Sequence, residues 1–174
     1  ADPTDGTVVA IATGAGSEKA LREARAPGAT DAVQVAGEGA APALLAAALQ
    51  AGDYELVLCG DQAADDNQGA APAVIAQLLD WPLAQGVDAL ATLDAGIQTA
   101  ATLEAGVLTQ TLALPAVVAV GDTINKPRLP SFRTKMAAKR AKLTPLAVEA
   151  AAVPVADRVA LMPQPPAVQQ LPLR

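Results

Sequence analysis

The chain's 174 residues give room for one hydrophobic core and not for two full domains. Hydrophobic residues make up 52% and charged residues 17%, so the chain packs rather than staying disordered, with a net charge of -6 and only 2% aromatics. One cysteine and no histidine exclude a disulfide framework, Cys-rich zinc and iron–sulfur sites, the Ser-His-Asp triad and nearly all imidazole metal sites, and no metal is expected.

The chain opens at Ala1 rather than Met and has no signal-type segment, so its start reads as processed or trimmed. Thr7 to Thr13, apolar and β-branched between Gly6 and Gly14, predicts a buried strand. Ser17 is placed as the N-cap of a helix that closes near Pro27-Gly28. Asp31 to Val35 is a second strand, Pro42 to Ala51 a second helix and Glu55 to Cys59 a third strand. That third strand is apolar throughout, as a parallel strand covered on both faces is. The loop Gly60 to Asn67 then leads into a helix running to about Leu79. Strand and helix repeated at this spacing predict an α/β fold with a doubly wound, mainly parallel sheet.

From Trp81 the pattern changes. Ala89–Leu93, Ile97–Leu103 and Val107–Leu114 are β-like runs separated by Ala-Gly pairs, an antiparallel hairpin or meander at the sheet edge. Pro115 to Val120 is another buried strand. No Lys or Arg occurs from Ala26 to Asn125, a stretch with twelve acids. Lys126, Arg128, Arg133, Lys135, Lys139, Arg140 and Lys142 then bring seven basic residues into the next seventeen positions, with a short helix expected from Phe132 to Lys142. Such a block marks a docking surface or a solvated face. The acidic chain and the lack of stacking aromatics argue against nucleic acid, and no run long enough to cross a membrane is present. Six prolines from Pro145 to Pro172 predict an extended arm, so the chain divides into an α/β domain over 1–145 and an arm over 146–174 that lies along another chain.

Two turns follow strands of the parallel set, where open α/β sheets bind ligands. Thr13-Gly-Ala-Gly-Ser-Glu-Lys19 is a glycine-rich turn that can approach a phosphate or simply make a tight bend. The loop Gly60, Asp61, Gln62, Ala63, Ala64, Asp65, Asp66, Asn67, Gln68, Gly69, followed by Ala70 and Ala71, offers small residues, amides and a helix start. Adjacent Asp65 and Asp66 diverge and chelate poorly, which favours a nucleotide phosphate over a metal. Cys59 reads as a buried apolar residue. Phe132 stands among polar and basic neighbours, either tucked into the core or exposed as an anchor with a charged rim.

Glu55-Leu-Val-Leu-Cys-Gly-Asp-Gln-Ala-Ala-Asp-Asp, continued by Leu79-Asp-Trp-Pro82, resembles the adenylate-binding segment of the electron transfer flavoprotein β subunit. Leu114 to Val120, Asn125-Lys-Pro-Arg128, Met136 to Lys142 and Pro163-Gln-Pro-Pro166 extend the likeness, and Val8 to Gly14 and Gly28 to Asp31 fit in the same order. The resemblance implies a Rossmann-like subunit that does no bond chemistry, holds a structural AMP and pairs with an α subunit that carries most of the FAD site. It implies electrons accepted from an FAD- or FMN-dependent dehydrogenase and passed towards a quinone oxidoreductase, in the bacterial cytoplasm or the mitochondrial matrix. AMP contacts would fall on Thr13 and on Gly60 through Ala71. Residues 125–142 would be the recognition loop, with Phe132 at the anchor position usually held by leucine and Arg128, Arg133, Lys135, Met136 and Lys139 around it. Gly69-Ala-Ala-Pro72 departs from the family's more polar pattern, so backbone amides would replace side chains there. The rival readings are an ATP pyrophosphatase, whose serine- and glycine-rich loop is not visible, and a universal-stress-type nucleotide module, which would not need the basic segment.

Overall fold

A computed structural model describes residues 6–63 and 69–150, and all structural statements concern those residues. The elements run β1 (Val9–Thr13), α1 (Ser17–Arg25), β2 (Asp31–Ala36), α2 (Ala41–Gln50), β3 (Leu56–Gly60), α3 (Ala70–Leu79), β4 (Leu83–Val87), β5 (Ala89–Leu93), β6 (Gly96–Leu103), β7 (Gly106–Leu112), β8 (Ala116–Val120), α4 (Phe132–Arg140) and β9 (Thr144–Ala147). The alternation of strand and helix through α3 gives the α/β architecture that the sequence pattern implies.

Three ladders form. Strands β1, β2 and β9 pair in parallel with β2 in the centre, and β3, β8 and β4 pair in parallel with β8 in the centre. Strands β5, β6 and β7 form an antiparallel meander, so this segment is a sheet of its own, joined to β4 where the Asp88 amide donates to the Ala100 carbonyl at 2.8 Å. Strand β4 has no counterpart in the sequence reading. Its Leu-Ala-Gln-Gly-Val lacks an unbroken apolar run, and its register with β8 shifts between Ala84 and Val87. Strand β9 includes Pro145, so parallel pairing reaches into the region read as arm, and the 145/146 division falls within this strand. Residues 151–174, the rest of that expected arm, lie outside the described residues.

Helices cover both faces. Helices α2 and α3 pack on one, with Ala46, Leu49, Ile75, Ala76 and Leu79 against Val117. On the other face lies α1, where the Gln34 side-chain amide donates to Ser17 Oγ at 3.1 Å and Leu21 is buried. Ser17 is therefore not the N-cap. It is the first helical residue, and Gly16 precedes it in the left-handed region at φ 82, a conformation that favours a residue without Cβ. Ala116 to Ala119 of β8 are fully buried, the pattern of a central parallel strand. Ala84, Val87, Ile97 and Leu112 complete a second core between β4, β8 and the meander.

Candidate functional site

The carboxyl ends of β3, β4 and β8 open onto a cavity of about 670 Å3 lined by Gly60, Asp61, Gln62, Ala63, Gly86, Asp88 and Gly121, among others. The loop after β3 is anchored at its first residue. The Asp61 amide donates to the Val120 carbonyl at 3.0 Å, and Asp61 Oδ1 accepts from the Gly86 amide at 3.0 Å. Gly69 returns so close to this anchor that a Cβ on it would stand 2.7 Å from the Asp61 carbonyl oxygen. Helix α3 starts immediately afterwards with no side-chain cap and no acid in its first turn. The amides of Ala70 and Ala71 are therefore without an intrahelical acceptor, at an end that carries partial positive charge. Gly60 to Ala63 and Gly69 to Ala71 are thus brought together, while Ala64, Asp65, Asp66, Asn67 and Gln68 lie outside the described residues.

Thr13 is placed differently. Its hydroxyl donates to the Val35 carbonyl at 3.0 Å and it lines a separate cavity of about 460 Å3 with Gly14, Ser17 and Gln34. Asp88 was not singled out by the sequence reading. It accepts from the Thr102 amide at 2.8 Å, and this bond, the largest influence, holds its carboxyl below the ordinary carboxylate range. Asp61, Asp88 and Asp122 give the wall near β4 and β8 an acceptor character suited to hydroxyl donors such as those of a ribose. The α3 end suits an anion. An adenylate offers both kinds of group, so these residues fit its chemistry. Cys59 is half-buried, and burial pushes its thiol up, away from the thiolate form. Among the described residues no cluster of three or more metal-ligating side chains occurs.

A second candidate surface surrounds α4. Ser131 caps this helix by accepting from the Thr134 amide at 3.2 Å. Phe132 is 81% exposed and Leu129, three residues earlier, is 96% exposed. Of the two placements left open for Phe132, the structure shows the exposed one, and Leu129 is an apolar neighbour in sequence that the sequence reading passed over. Phe132, Arg133, Met136 and Arg140 share one face of the helix around a shallow cavity. Lys135 and Lys139 face a different groove, with Glu18, Arg22 and Glu23 of α1, and Arg128 lies beside Gly28. The basic cluster is thus split over two sides of α4.

Fold and surfaces together define a doubly wound α/β chain with ligand-sized openings at its strand ends and a separate exposed apolar and basic helix. The profile of the electron transfer flavoprotein domain matches residues 1–153, and the chain belongs to that family. Its relatives include the electron transfer flavoprotein subunit beta of Mycobacterium bovis (strain ATCC BAA-935 / AF2122/97), 32% identical over 155 residues, 84% of this chain and 58% of the relative. The subunit beta of Mycobacterium leprae (strain TN) is 35% identical over 107 residues, 62% of this chain and 40% of the relative. The matched part thus spans 58% of the first relative's length and 40% of the second's.

Proposed function

We propose that this chain forms the adenylate-holding and partner-docking part of an electron transfer flavoprotein β subunit. The observation that carries the reading is the coincidence of family and geometry. Within the matched span, the loop after β3 folds back on the start of α3 beside a cavity of acceptors, and α4 presents Phe132 to solvent. In this reading Gly60 to Ala63 and Gly69 to Ala71 hold an AMP through backbone amides, with Asp61 and Asp88 as acceptors for its hydroxyls. AMP is structural here and takes no part in electron transfer.

The FAD belongs mainly to an α subunit, and when bound it supplies the electron-carrying chemistry. This chain's residues orient that partner and select the donor. Phe132, with Leu129 beside it, inserts into a pocket of a flavin-dependent dehydrogenase, and Arg133 and Arg140 steer its acidic rim. The final acceptor is a quinone oxidoreductase. No helix among the described residues is long and apolar enough to cross a membrane.

The test is co-expression with candidate α subunits, followed by an absorption spectrum and extraction of adenylate. A flavin band in a stoichiometric complex that also releases AMP is the expected result. A chain that purifies alone, colourless and with adenylate, overturns the carrier reading in favour of a nucleotide-binding module.

A further inference from the structure

Helices α1 and α4 leave a cavity of about 760 Å3 between them, within the range of small-molecule sites, about 300–1,000 Å3. It lies on the side of α4 away from the shallow cavity beside Phe132. Six of its lining residues are charged, yet most of the wall is carbon. Lysine and arginine stems therefore run along it beside Ala26, Pro130 and Ala138. The charges differ in what they already hold. Glu18 accepts from Arg22 Nε at 3.1 Å and from Nη2 at 2.9 Å, and Arg22 Nη1 is spent on the carbonyls of Lys139 and Ala141. Glu23 stands 3.9 Å from Lys19. Lys135 and Lys139 form no ion pair among the described residues. They lie one turn apart on α4, where like charges repel. Two unpaired ammonium groups beside a carbon wall match a molecule with an apolar body and an anionic head.

We propose that the cleft between α1 and α4 binds a small amphipathic anion, an apolar chain or ring that ends in a carboxylate. Lys135 and Lys139 take the carboxylate, and Ala26, Pro130 and Ala138 flank the apolar body. The occupied cleft also orders α4. Ala138 is the one buried residue of this helix, and Arg22 supplies the side-chain hydrogen bonds that tie its end to α1. An element with so few buried contacts opens at low cost, and a ligand touching both helices favours the closed state by mass action. Phe132 stands on the far side of the same helix, so the filled cleft gives the donor a firmer docking face. This last step rests on the docking reading above.

The test uses the whole 174-residue chain, calorimetry for affinity and amide exchange for α4. The probe is octanoate, and the controls are octanol, which lacks the charge, and acetate, which lacks the apolar chain. Octanoate is expected to bind at least tenfold more tightly than either control and to slow exchange in α4 at least threefold. Lys135→Gln combined with Lys139→Gln is expected to lose at least tenfold in octanoate affinity at an unchanged melting temperature. Arg133→Gln combined with Arg140→Gln, the same charge change on the Phe132 face, is expected to lose less than threefold. Equal losses from the two double variants assign the effect to the net charge of α4, and equal binding of octanol assigns it to exposed apolar surface. Either result overturns the site, as does an absence of binding. Binding that leaves exchange in α4 unchanged overturns the ordering of the helix alone. In the complex with an α subunit, saturating octanoate is expected to speed reduction by the donor. No change there, with Phe132→Ala still slowing reduction, overturns the firmer docking face. No effect of Phe132→Ala overturns the docking reading instead and leaves the cleft standing on calorimetry and exchange.

Discussion

At the scale of single residues, Phe132 and Gly69 do opposite things. Phe132 leaves 81% of its surface in water and makes no core, so removing its ring costs little stability. Phe132→Ala is expected to slow reduction by the donor dehydrogenase by tenfold or more, on the order of the 2 kcal/mol of a binding anchor, with FAD content and melting temperature unchanged. Stopped-flow reduction of the α/β complex checks this, and unchanged kinetics would remove the anchor role. Gly69 has no exposed task. A Cβ there collides with the Asp61 carbonyl, which belongs to the anchor of the loop. Gly69→Ala is expected to cost about 1–3 kcal/mol in overpacking and to weaken AMP binding, measured by denaturant unfolding and by calorimetry. Wild-type stability and affinity in that variant would show that the loop does not need the close return.

Among elements, the contact of α1 with α4 has the clearest consequence. Arg22, held by Glu18 at 2.9 Å, donates to the carbonyls of Lys139 at 2.6 Å and Ala141 at 2.9 Å, the C-terminal end of α4. A guanidinium there satisfies carbonyls that the helix leaves free and complements its negative end. Arg22→Ala is expected to cost about 1.5–3 kcal/mol as a charged hydrogen-bonding group is lost, to speed amide exchange in α4, and to slow donor reduction while Phe132 is intact. Exchange unchanged in α4 would separate the helix from this clamp. The sequence showed both helices, because Leu21 and Ala24 on one side and the basic run on the other are local signals. It could not show the clamp, since Arg22 and Ala141 are distant in sequence and arginine on a helix is ordinarily a solvated charge. Ser17 failed as a cap for a related reason: a serine before an amphipathic run looks like a cap, and here Gln34 of the neighbouring strand takes its hydroxyl. Strand β4 was hidden because its alternation is broken by Gly86, at φ 63 where the register shifts.

For the whole molecule, charge is separated along the chain as well as in space. The basic residues from Lys126 to Lys142 gather on and around α4, and the cavity beyond β3, β4 and β8 is lined by acids. The second-order rate of donor reduction is therefore expected to fall as salt rises, since the screening length shrinks from about 10 Å at 0.1 M to about 3 Å at 1 M. A rate flat in salt from 0.05 to about 0.5 M, where that length changes severalfold, would argue against steering by α4. The position of the loop after β3 was legible from small residues after an apolar strand, a pattern with a physical cause. The presence of Asp88 in the cavity beside it was not, because that carboxylate comes from the turn between β4 and the meander and reaches the cavity only through tertiary packing. The separation of Thr13 from the loop was equally illegible, since sequence order says nothing of the width between β1 and β3. The chain passes between the two parallel ladders twice, from β2 through α2 to β3 and from β8 through residues 121–143 to β9, and α4 lies on the second passage. Helix α4 is therefore part of a span between two halves, like a footbridge whose piers are the ladders. Any change in the distance between the halves moves its footings, so in the proposed docking role a donor that grips α4 would sense the integrity of the sheet as well as the shape of the helix.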